Sequence, residues 1–423
     1  ADFEAMGGDS AFAMFDTMGN DATGLGGDQL AGIFGAMEGD QMHEIGGDQL
    51  FESAENMTGD NFMAMDSDSA FGMFDAMGSD MVMDLEGDQL AGMFGAMEHD
   101  QIGDMHGDMV FDAFQSMGTE GMLGMDGDSV AGMFDAMGPE HFGEIDSQQM
   151  FDMTENMSAD NFMSMESDNA FGMFDAMGSD MLGGLGGDQL GGMLGAMESH
   201  HMMDIGGDQL FEMAGNMTGD HFMTMDPDSA FGMFDAMGSE MAMDLGGDQL
   251  AGMFGAMEHD QIGLMQGDMV FDAFQAMGTE GMLGLDGDSV AGMFDAMGPD
   301  NFGEIAGVDM FEIAGNMAGE HFMTMGSDSA FGMFDSMGAD MASTMAGDQL
   351  GGMLGAMEAH HMSDIGGAHL FEMAGGMTGD NFMVMDSNSA FGMFEAMGSE
   401  MALELGGGQL AGMFGAMDAG QMA

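Results

Sequence analysis

The sequence predicts an all-α protein, an elongated α-solenoid of about twenty-one 20-residue helix-turn-helix repeats. Three observations predict it. Met stands at 37, 57, 77, 97 and every twentieth position onward to Met417, with no insertion in the run. Within a unit, apolar residues fall at i, i+3, i+4 and i+7, as at Leu90, Met93, Phe94 and Met97, the spacing of one helical face. Ala, Met, Leu and Glu are abundant while Val, Ile and Thr are scarce, which favours helix over strand. A β-solenoid with 20-residue coils is the alternative architecture, kept in view by glycines that each cost about 1 kcal/mol relative to Ala in a helix interior.

The elements follow in order along a chain that reads as one continuous array over 1–423. The first unit, 1–26, carries Met18 in the ladder role and is one residue short, a variant terminal repeat. From about residue 27 a 160-residue period is superimposed, since Gly92–Pro139 recurs almost unchanged as Gly252–Pro299. Eight units were therefore duplicated together. Each unit opens with a helix of about three turns, for which Asp88, Asp128 and Asp188 are the expected N-caps. Gly92 has Asp112, Gly132, Asp152 and Glu212 at equivalent positions, so this site is expected to face water.

The second half of a unit, as in Pro139-Glu140-His141-Phe142-Gly143-Glu144-Ile145, pairs apolar Phe142 with Ile145 behind a proline suited to a first helical position. Pro299 repeats it in phase. The unit is then helix, turn, short helix, turn, and neither helix is long enough to persist alone. With neighbouring helices about 8–10 Å apart, the array would run on the order of 200 Å along its path. Its last unit closes at Gln421-Met422-Ala423 without a polar capping helix, from which end-to-end self-association is expected.

Composition restricts the partners. The chain has 77 Asp plus Glu and no Lys or Arg, a formal charge of −77 that only solvent cations compensate. Without a guanidinium or ammonium group it has no means to grip phosphates, so nucleic acid and anionic membrane surfaces are excluded as partners. No apolar run approaches the roughly 18 residues of a spanning helix, so no membrane insertion is expected. The apolar fraction of 45% is high enough to fold a core despite the charge. The start at Ala1 shows no charged or apolar leader, and the missing initiator Met suggests processing or an excised segment. Cysteine is absent, which excludes disulfides and thiolate chemistry, and trypsin has no cleavage site. An extracellular or cell-surface setting suits such a chain, whose acidic, Gly-rich composition resembles that of substrates of one-step bacterial secretion. Spread along the array, the charge amounts to about one per 2–3 Å, approaching that of duplex DNA, and calls for a condensed layer of Ca2+, Mg2+ or other cations.

Three residue sets carry candidate chemistry. Met73 with Met77, Met93 with Met97 and Met133 with Met137 put paired thioethers on one helical face, a soft donor set for Cu(I) or Ag(I). Packing alone accounts for the same column, because Met fills irregular gaps in a thin core. The inter-unit loops carry Asp66 with Asp68, Asp126 with Asp128, Asp226 with Asp228 and Asp286 with Asp288, hard oxygen pairs suited to Ca2+ or to helix capping. The adjacent pairs His200-His201 and His360-His361 are expected to be exposed and poor chelates, since neighbours on a helix face different ways. Nearly every Ser, His or carboxylate recurs in several units, whereas an active site needs one distinctive pocket, so no enzyme is expected. The expectation is a non-enzymatic, secreted or cell-surface structural scaffold, able to form fibres. A metal-binding or storage protein and a protein-recognition solenoid using one concave face are the alternatives.

Overall fold

The computed structural model describes residues 7–421; the first six residues of the variant unit, and Met422 and Ala423 of the closing segment, lie outside the described residues. It is helical throughout, and no strand occurs among the described residues, which removes the β-solenoid. The chain divides into two compact units between Asp204 and Ile205. Each is an all-α solenoid. In the first, Gly87–Phe94 is followed by the short helix His99–Gly103; in the second, Gly247–Ala256 is followed by His259–Gly263.

The apolar stripe forms the core as its spacing requires. Leu90, Met93 and Phe94 are buried along one helix face, and the ladder residue Met97 is buried just beyond the helix end. Other units extend the long helix through the ladder Met, as in Ser67–Met77, where Gly78 at φ 76° reverses the chain. That left-handed backbone is open to glycine at little cost, and the short helix Ser79–Val82 starts immediately after it.

Two features of the long helix differ from the sequence-based expectation. Asp88 does not cap its own helix: Glu86 is the N-cap residue, and its N–H donates to Gln89 Oε1 at 2.9 Å. The Asp88 carboxylate instead accepts the first N–H of the short helix Gly59–Met63 at 3.0 Å, and Asp248 does the same for Gly219 at 3.2 Å. Asp188 likewise stands second in Gly187–Ala196 behind Gly186, and Asp128 second in Gly127–Met137 behind the true cap Asp126. The cap sits one residue outside the helix, where the backbone is extended, so the preceding position takes the role.

Gly92 is the second. It is buried, not water-facing, and a Cβ there would meet the backbone of Gly59, 33 residues earlier. Gly132 crosses His99 in the same way, and Gly252 crosses Gly219. Among the acids at this register, Asp112, Glu212 and Asp272 are exposed and Asp152 is half-buried. The site is thus a close helix crossing in some units and a solvated face in others, and the Gly-or-acid alternation records which.

A polar ladder, buried at Gln89 and half-buried at its other glutamines, runs beside the methionines. Gln89 Nε2 donates to the carbonyls of Ala54 at 2.9 Å and Met57 at 2.7 Å, so one side chain caps its own helix and closes the end of a long helix 32–35 residues back. Gln189 repeats this with Thr154 and Met157 in the first unit. Gln249 and Gln409 repeat it in the second, on Ala214 with Met217 and on Ala374 with Met377. Where Ser stands at this register, Ser69 and Ser389 donate to the carbonyls of Met37 at 2.7 Å and Met357 at 2.6 Å. The ladder methionine therefore marks a helix end whose orphan carbonyl is bonded from the repeat after next. The stacking unit is two repeats deep.

Candidate metal centre

The expected soft-ion donors lie inside the core. Met73, Met93 and Met133 are fully buried, and Met77, Met97 and Met137 nearly so. They pack among Phe and Leu of the same stripe, and Met adapts its three rotatable bonds to such gaps.

In each expected calcium pair, the first carboxylate holds a helix start. Asp66 accepts the Asp68 N–H at 3.2 Å, Asp126 that of Ser129 at 2.9 Å, Asp226 that of Asp228 at 3.0 Å and Asp286 that of Ser289 at 2.7 Å. Asp68 and Asp228 receive the side-chain amides of Gln101 at 3.0 Å and Gln261 at 2.6 Å. Asp128 and Asp288 are exposed on the first helical turn.

Those two glutamines belong to a second ladder, at the third position of the short helices. Gln101 Oε1 accepts the N–H of the N-cap residue Glu98 at 3.0 Å, while its amide reaches Asp68, 33 residues earlier. An imidazole can do both jobs, one nitrogen accepting and the other donating. His201 and His361 occupy this register. His201 Nε2 lies 3.2 Å from Asp168 and His361 Nε2 3.3 Å from Asp328, each again 33 residues back.

Here the structure corrects the reading of the paired histidines. His201 and His361 are buried, not solvated, with 4% and 5% exposure. The rings of each pair come together, their centroids 3.9 Å apart at His200/His201 and 3.8 Å at His360/His361. Phe171 stacks on His201 with ring centroids 4.5 Å apart, and Phe331 on His361 likewise at 4.5 Å. Burial, and next the neighbouring His200 or His360, hold both imidazoles below the ordinary histidine pKa, so the neutral form is favoured. The side chains of adjacent helix residues diverge from the axis, but long planar rings in the first turn swing far enough to meet.

The donor atoms of Asp168, His200 and His201 all lie within 4.8 Å of one another, and so do those of Asp328, His360 and His361. The sequence carried one signal for this, the recurrence of the His pair at the register that Gln101 and Gln261 fill elsewhere. That the partner is an Asp 33 residues away follows only from the two-repeat stacking.

No protein-family model matches the sequence, and no curated protein does. Among solved structures, a crystal structure described as that of an engineered protein matches at 12% identity, covering 92% of this chain and 97% of its own. Its TM-score of 0.23 is too low to carry any argument.

Proposed function

We propose that the protein is a non-enzymatic, acidic structural scaffold that works outside the cell or at its surface and is held by a diffuse layer of cations. The observation that carries this reading is the doubly interlocked stacking. Buried or half-buried side chains such as Gln89, Gln249 and Ser389 bind their long helices to a helix end two repeats back. Stacking of this kind propagates from neighbour to neighbour and builds length from identical parts, as a structural array requires. With no Lys or Arg among 423 residues, the carboxylates have no side chain other than histidine to serve as a cationic partner, so solvent cations supply the counter-charge. Among the described residues, no helix is long and apolar enough to cross a membrane.

Fibre formation by end-to-end self-association belongs to the same proposal. Sedimentation velocity over a wide range of protein concentration, at moderate salt to screen the repulsion, is expected to show assemblies that grow with concentration. A single sedimenting species at every concentration would contradict the fibre-forming scaffold.

A further inference from the structure

The two His-His-Asp sets have a feature that the ladder does not require. A rung needs only the residue at the third position, and Gln101 or Gln261 satisfies it. The residue before it is Asp100 or Asp260 in those units, an acid in the first turn that complements the helix dipole. At 200 and 360 that acid gives way to a second imidazole, which forgoes the dipole interaction and brings its ring against the first.

We propose that Asp168 with His200 and His201, and Asp328 with His360 and His361, each bind one divalent transition-metal ion, Zn2+ being the ion that two imidazoles, one carboxylate and water suit. The proposal is independent of the scaffold reading.

The surroundings are those of a built ligand set. A metal-bound histidine is oriented by a hydrogen bond from its other nitrogen, and both imidazoles have one available. His201 Nδ1 lies 3.1 Å from Ser167 Oγ, and that oxygen also accepts the Glu198 N–H at 2.8 Å, so it is held in place. The second site repeats this with His361 3.2 Å from Ser327 Oγ and the Glu358 N–H donating to it at 3.1 Å. His200 Nδ1 lies 3.3 Å from Glu198 Oε2 and His360 Nδ1 3.4 Å from Glu358 Oε2. With Nδ1 of each ring so engaged, Nε2 is left as the ligand atom.

Metal entry needs a tautomer exchange at His201 and a rotation of the Ser167 hydroxyl, whose proton turns away from Nδ1. Without the ion, the Nε2 proton is shared with Asp168 and Nδ1 accepts from Ser167. With it, the proton sits on Nδ1 and is donated to Ser167 Oγ, while Nε2 and the carboxylate turn their lone pairs to the metal. No net proton is released from the neutral ring. His200 and Asp168 are largely exposed, so the ion has a path from solvent and room for water ligands.

The test is calorimetric titration of Zn2+ into metal-stripped protein in excess MgCl2, which occupies the diffuse carboxylate layer. Two saturable ions per chain are expected. The variant His360→Asp restores the acid that the register carries elsewhere, which keeps the helix start intact, and is expected to leave one ion per chain. His200→Asp with His360→Asp is expected to weaken binding at least tenfold, with unchanged helix content by circular dichroism. No saturable Zn2+ binding in excess Mg2+, or binding that both variants leave unchanged, would overturn the proposal.

Discussion

Gly252→Ala is expected to destabilise the second unit by about 3 kcal/mol, while Asp272→Ala, twenty residues on at the same register, changes stability by no more than ~0.5 kcal/mol. Helix propensity alone gives the opposite order, since Ala is favoured over Gly by about 1 kcal/mol in a helix interior. Steric contact decides it: the added Cβ at 252 falls on the Gly219 backbone, which belongs to a packed helix and has no flexible end to yield. Asp272 is exposed and meets no such neighbour. Urea denaturation of the two variants, followed by far-ultraviolet circular dichroism, measures the pair. Equal effects at the two positions would show that all repeats pack alike and that the Gly-or-acid alternation has no structural meaning.

Phe222→Ala is expected to cost about 3–5 kcal/mol. Its helix, Gly219–Met223, has five residues and cannot persist without tertiary support. Phe222 is fully buried and is the main apolar anchor of that helix, while the adjacent Met223 is half exposed. The same register holds Ala242 in the next repeat, also fully buried, so a small residue fits only where the short helix is packed differently. Met223→Ser serves as the comparison and is expected to stay within ~0.5 kcal/mol. Hydrogen exchange adds location: loss of protection in Phe222→Ala should centre on Gly219–Met223 and on Gly247–Ala256, the helix crossed by Gly219.

Much of this architecture is legible along one repeat. The 20-residue Met period, the stripe of Leu90, Met93, Phe94 and Met97, and the prolines at 139 and 299 suffice to place both helices and the buried face. What depends on the second repeat along is not legible in the same way. Gly92 reads as solvent-facing because its equivalents include acids, yet its neighbour is Gly59. Asp88 reads as a cap for the helix it opens, yet it caps one 29 residues earlier. His201 reads as half of an exposed pair, yet Asp168 and Phe171 enclose it from across the stack. A period of twenty shows what repeats but not which copy lies against which, and all three residues act across an offset of about thirty.

The central claim is that cations hold this array by screening its charge and that no specific calcium loading drives its fold. Thermal melting of metal-stripped protein, followed by circular dichroism in NaCl, MgCl2 and CaCl2 series, tests it most directly. With a net charge of −77 and no internal counter-ion, helix content is expected to melt at a temperature that climbs steadily with salt. The Mg2+ and Ca2+ series are expected to coincide. A sharp rise with Ca2+ alone, saturating at a fixed ratio per repeat, would contradict the account and make ion loading at pairs such as Asp66 and Asp68 the function.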